Sequence, residues 1–220
     1  MCFSAEGDLI AGVVVGGVGV DALRHVRHKR EVGLAALPLI FGVHQMIEAF
    51  TWWGLDGSVP TALGEAATWV YLTIAFLLPV VVPLAILSLE PDPRRRRTIA
   101  PFIILGAVVA VILLANLFSG PVTAEIAGRT IAYDVHLSFG GQLTALYVVA
   151  TCGPLLLSRN RHIRVFGMLN VAAVTVLAWL LATQVISLWC AWAAVTSIVI
   201  VIHLHTAERS GEPAASTFAA

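Results

Sequence analysis

Charge is the first thing this chain lacks: Asp, Glu, Lys and Arg supply 12% of its 220 residues, about half the share of a typical soluble domain. Hydrophobic residues supply 59%, and the mean hydropathy is +0.90. That balance excludes an ordinary soluble globule and reads as a membrane protein from end to end, with the lipid bilayer as its first partner. The formal net charge is zero, and Lys and Arg fall in short clusters instead of along one face, so nucleic acid is not an expected partner. Cysteine is equally sparse. Cys2, Cys152 and Cys190 form no C-x-x-C pair, which excludes a zinc ribbon or a thioredoxin-type motif. No apolar segment contains a lysine, which removes a retinal Schiff base. Gly-rich phosphate loops, a G-x-S-x-G elbow and H-E-x-x-H are also missing. The N-terminus has neither a basic n-region nor a small-residue cleavage site, so the first apolar run is expected to be a true span.

What the chain has in quantity is apolar segments of about 20 residues, the length a span requires. They fall near 8–24, 33–54, 64–89, 99–118, 140–157, 163–183 and 186–205. The basic clusters are Arg24 to Arg30, Arg94 to Arg97, and Arg159, Arg161 and Arg164, in the first, third and fifth connections, with Arg209 in the tail. Arg129 alone lies on the other side. By the positive-inside rule the N-terminus is outside and the C-terminus cytoplasmic, which requires an odd number of spans. The expected fold is therefore an all-α, polytopic transmembrane helix bundle of about seven spans. Residues 1–207 make a single domain with an external loop at 119–139, followed by a disordered cytoplasmic tail at 208–220.

Trp52, Trp53, Trp69, Trp179, Trp189 and Trp192 all fall in the outer parts of their segments. An aromatic belt normally occupies both interfaces, so a one-sided set reads either as a belt or as part of an outward-facing pocket. Gly12, Gly16, Gly17 and Gly19 in the first span suit close helix packing. Pro79 and Pro83 each free a backbone carbonyl that a neighbouring helix or water must satisfy. The alternation from Val122 to Tyr133 about Gly128 predicts a short hairpin over the bundle mouth, a lid or a plain connection, bringing Asp134 and His136 to that side.

The polar chemistry concentrates between Phe41 and Trp53. Residues four apart on a helix share a face, so His44, Glu48 and Trp52 form one column with Gln45 and Thr51 on its flanks. An ionisable residue within a span costs roughly 2.5–3.5 kcal/mol to insert and normally faces the bundle interior. Three readings of the His44–Glu48 pair stand side by side: a satisfied pair that fixes helix packing, two ligands of a metal or haem, or a proton or small-ligand site. His136 is the candidate third metal ligand. Cys2 and Cys190 share the outer side and suit a disulfide, with packing thiols or metal thiolates as alternatives, while Cys152 is expected to pack. His203 and His205, two apart at a helix end, do not face each other and read as solvated.

The opening Met1-Cys2-Phe3-Ser4-Ala5, Pro38, Phe41-Gly42, the Gln45–Glu48–Trp52 column, Pro79 and Pro83 before Glu90, and Ser187-Leu188-Trp189-Cys190 with Ala193-Ala194 together resemble an uncharacterised family of bacterial multi-pass membrane proteins. The resemblance implies that Cys2, Gln45, Glu48, Trp52 and Cys190 belong to the family pattern. His44 departs from it, since Gln often stands there, so the resemblance implies no mechanism that needs a histidine at 44. It brings no activity and no cofactor. The expected function is binding, sensing or transport of an ion, proton or small polar ligand at an outward-facing pocket of His44, Gln45, Glu48, Trp52 and Trp189, in a bacterial cytoplasmic membrane. Two alternatives accompany it. One is a metal-dependent intramembrane hydrolase or cofactor-binding redox protein, against which His44, His136 and His203 fall at three different depths. The other is a structural subunit of a membrane complex or a homo-oligomer.

Overall fold

The structure is a computed structural model and describes residues 4–135, 137, 139–159, 161–180 and 192. Chain order is α1 (Ala5–Arg24), α2 (Val32–Leu55), α3 (Thr61–Leu89), α4 (Pro93–Ser119), strands β1 (Thr123–Ala127) and β2 (Thr130–Asp134), then α5 (Gly140–Leu157) and α6 (Arg161–Leu180). The first five expected segments each fall inside one of these helices, and the sixth coincides with α6 to within a few residues. The seventh apart from Trp192, its boundary with the sixth, and the tail lie outside the described residues. Among the described residues four helical stretches are long and apolar enough to cross a membrane: Lys29–Leu55, Thr61–Leu89, Pro93–Ser119 and Gly140–Leu157.

The helix ends follow local chemistry. Ser4 caps α1 by accepting from the Gly7 N–H at 3.1 Å, and Glu6 and Asp8 in the first turn suit the positive end of the helix dipole. Asp92 caps α4 through the Arg94 N–H at 2.9 Å, with Pro93 at the first helical position, where no donor is missed. Arg95 donates to the Leu157 carbonyl at 3.2 Å, placing a positive charge at the C-terminal end of α5. The basic connections therefore gather at one end of the bundle and the hairpin at the other.

Between helices in lipid there is little hydrophobic drive, so packing rests on close approach and on satisfied polar groups. α1 and α2 run antiparallel through small residues. A methyl at Gly42 would strike the backbone of Gly16, and one at Gly19 would strike the backbone of Leu39. α3 contains Pro79 and Pro83 and remains helical throughout. Pro79 has no N–H to offer the Ala75 carbonyl, and the Tyr147 hydroxyl of α5 donates to that oxygen at 2.7 Å. Pro83 likewise leaves the Pro79 carbonyl without its helical donor, and this carbonyl faces Gly106 of α4 so closely that no side chain fits there. On the other side of α3, Leu63, Val70, Leu77 and Leu84 recur every seven residues and are exposed, a strip for lipid or a further helix to cover.

The hairpin forms as its alternation predicts. Thr123 pairs with Asp134 and Ala127 with Thr130, and Gly128 turns the chain at φ +67°. Ile131 is fully buried against Ala5, Ala49 and Trp52, which seats the hairpin on the ends of α1 and α2.

Candidate functional site

The polar residues of α2 occupy its last three turns on the inward face. His44, Gln45, Glu48 and Thr51 are each 0–1% exposed, and Trp52 is also buried. Glu48 lies seven residues before Leu55, about 10 Å along the axis from the helix end.

The α1–α2 contact places a second carboxyl beside it. Gly19 meets Leu39, Gly16 meets Gly42 and Gly12 meets Met46, so each turn back along α1 is matched by one turn forward along α2. Asp8, one turn before Gly12, thus comes level with the turn around Phe50. It is fully buried, and the Trp52 indole N–H donates to its Oδ2 at 2.9 Å.

The hairpin supplies the next component. The pleat turns alternate residues to one face, so Ile131 and Tyr133 point inward together. The Tyr133 hydroxyl donates to Glu48 Oε1 at 3.2 Å, while the Gln45 amide lies 3.4 Å from Oε2, at the long end of the hydrogen-bond range. The Thr51 hydroxyl lies close enough to the Tyr133 phenol to favour its ionised form slightly. Gly54 and Gly64 touch backbone to backbone where α2 meets α3, and one turn further in Thr68 stands 3.5 Å from Thr51. The Thr68 hydroxyl reaches its own helix as well, at the Gly64 carbonyl 3.0 Å away.

His44 takes a different direction from the one its spacing invites. Its Nε2 lies 2.9 Å from the Tyr71 carbonyl, which can only accept, so the proton is on Nε2. Among the described residues Nδ1 has no hydrogen-bond partner. The imidazole stacks on the Tyr71 ring at 3.9 Å, and Tyr71 stacks on Tyr133 at 4.9 Å. His44 thus props the ring that backs Tyr133, while Glu48 is bonded by Gln45 and Tyr133. Among the described residues no three His, Cys, Asp or Glu side chains are grouped to hold a metal ion.

Of the residues singled out from sequence, the structure brings together Gln45, Glu48, Thr51 and Trp52, with His44 on the flank. Asp134 is on the exposed side of β2. Cys2, His136, Trp189 and Cys190 lie outside the described residues, and with them the disulfide, the third metal ligand and one pocket wall. Trp53 and Trp69 are half-buried, each against a phenylalanine, Phe50 and Phe118 respectively. Cys152 is a buried free thiol. Asp8, Thr68, Tyr71 and Tyr133 join the cluster without having been singled out from sequence. Asp8 carried a readable signal: it falls on the same α1 face as Ala5, Gly12, Gly16 and Gly19, which small residues mark as the packed face.

Compared with known families, residues 1–216 match the one described as "Family of unknown function (DUF6629)". The chain belongs to this family. The match spans α1 to α6, the hairpin and the whole Asp8–Glu48 cluster. No curated protein and no solved structure matches the chain.

Burial, the neighbouring charge of Glu48 and the hydrogen bond to it push the Tyr133 phenol well above its ordinary range, with Asp8 adding to the rise and the Thr51 hydroxyl partly offsetting it. A phenol raised in the folded state lends stability that is fully present below the unfolded pKa near 10 and is lost as pH climbs from there towards the folded value. Unfolding followed at increasing pH is expected to show stability falling above about pH 10, with a shallower fall in Tyr133→Phe. An unchanged slope in that variant would contradict the assignment.

Proposed function

We propose that this is a multi-pass protein of a bacterial cytoplasmic membrane, with seven spans, the N-terminus outside and the C-terminus cytoplasmic, that binds a proton or other small ion at Glu48. The observation that carries the reading is a fully buried glutamate two turns inside a span-length helix, bonded by a tyrosine from a segment outside the helices. A carboxyl at such a depth is expensive unless it is used or fully paired, and ionisable groups there mark ion and proton sites. Asp8 beside it gives the cluster two carboxyl groups, for which Trp52, Gln45 and Tyr133 supply neutral donors. Gain or loss of a proton at Glu48 changes its bond to Tyr133, which links occupancy to the seating of the hairpin and suits sensing or transport. The orientation is supported by the site's position at the end of the bundle remote from the basic connections.

Infrared difference spectra of the purified protein between acid and alkaline pH are expected to contain a protonated-carboxyl band that disappears in Glu48→Gln. Spectra unaffected by that substitution would remove the site. For the orientation, Arg96→Cys should resist a membrane-impermeant thiol reagent added outside intact cells; labelling there would reverse it.

A further inference from the structure

α4 and α6 begin where α5 ends. Arg95 donates to the Leu157 carbonyl at 3.2 Å, a methyl at Gly153 of α5 would meet the Phe102 ring of α4, and one at Gly167 of α6 would meet Leu155 of α5. This corner carries Arg94, Arg95, Arg96 and Arg97 on α4, Arg159 in the connection, and Arg161 and Arg164 on α6; all but Arg95 are exposed. The neighbouring acids are engaged with backbone. Glu90 accepts from the Asp92 N–H at 3.1 Å, and Asp92 accepts from the Arg94 N–H at 2.9 Å. Among the described residues none of the seven arginines forms an ion pair.

Their charge also has the wrong sign for the helices that carry them. The start of a helix is the positive end of its dipole and favours acidic side chains, while its end favours basic ones. α1 follows this rule with Glu6 and Asp8 in its first turn and Arg24 in its last, and Glu31 precedes α2. α4 and α6 have no acid in the first turn and open on arginines instead. An anion at this corner offsets both dipoles and supplies the acceptors that the guanidinium groups lack, and phosphate matches the arginine fork. The surface beside the arginines decides what carries the phosphate. Leu156 and Leu157 in the last turn of α5, and Val165, Met168 and Leu169 early in α6, are 39–54% exposed. Apolar side chains next to the guanidinium groups suit acyl chains, which neither free phosphate nor nucleic acid possesses.

We infer that the corner formed by α4, α5 and α6 binds an anionic phospholipid, with its phosphate among the exposed arginines and its acyl chains along α5 and α6. The inference needs the spans of the bundle and is independent of Glu48 and of orientation. Arg95, engaged with Leu157, holds the corner together; the six exposed arginines hold the headgroup.

The test is native mass spectrometry of the purified full-length protein in detergent micelles containing equal amounts of phosphatidylglycerol and phosphatidylcholine with the same acyl chains. The wild type is expected to retain phosphatidylglycerol on the order of 10-fold more than phosphatidylcholine, and to keep it in excess inorganic phosphate. The triple variant Arg94→Gln, Arg96→Gln, Arg97→Gln and the triple variant Arg159→Gln, Arg161→Gln, Arg164→Gln are each expected to lose most of that preference. Removing as many charges from the other basic connection, with Arg24→Gln, Lys29→Gln and Arg30→Gln, is expected to leave it in place. Equal retention of the two lipids by the wild type overturns the inference and requires no variant to fold. An equal loss in the control variant also overturns it, because the preference would then reflect only the total charge at this end of the bundle. Displacement of phosphatidylglycerol by inorganic phosphate overturns it as well, since the acyl chains would then add nothing.

Discussion

A carboxyl group inside a helix bundle in lipid must find its hydrogen-bond donors in protein, because the surrounding hydrocarbon offers none. Donors of different origin serve Glu48. Gln45 comes from the preceding turn of the same helix, and Tyr133 comes from a hairpin 85 residues further along the chain. The second donor constrains the fold. For Tyr133 to reach Glu48, the hairpin must sit on the end of the bundle and bury Ile131 against Ala5, Ala49 and Trp52. Tyr71 must then stand behind the Tyr133 ring, with His44 behind Tyr71. Asp8 follows the same rule through the Trp52 indole, which ties α1 to α2 at the level where the hairpin rests.

The rest of the bundle solves the same problem for the backbone. The Ala75 carbonyl left without its helical donor by Pro79 is taken by the Tyr147 hydroxyl, and the Pro79 carbonyl is packed against Gly106. These contacts join α3 to α5 and to α4 at mid-height. The buried Asp8 and Glu48 lie towards the end carrying the hairpin, while the clustered arginines of the connections, Arg94 to Arg97 among them, occupy the other end.

The described helices and the hairpin were legible in sequence because each follows from a local pattern: span-length apolar runs punctuated by Arg clusters, and a short alternation about Gly128. The inward face of α2 was equally legible, since Gln45, Glu48, Thr51 and Trp52 lie within about two helical turns at spacings of three and four. Partners were harder to see. Spacing on α2 pairs His44 with Glu48, but spacing cannot show that the Tyr71 carbonyl of another helix takes the imidazole N–H. Tyr133 was read as part of the hairpin and Asp134 as the residue brought to the mouth, whereas the pleat turns Ile131 and Tyr133 inward and leaves Asp134 exposed. Asp8 could have been placed from the small residues on its own face, because one turn of register along the glycine contact carries it to Trp52.

The bond between Tyr133 and Glu48 is the point on which both fold and function turn, and a double-mutant cycle measures it directly. Unfolding free energies of Tyr133→Phe, Glu48→Gln and the double variant, determined in the same detergent at neutral pH, give the coupling between the two side chains. A hydrogen bond to a charged or strongly polar buried group predicts a coupling of about 1.5–3 kcal/mol. Effects that add to within about 0.5 kcal/mol would show that the two residues do not interact and would contradict the account.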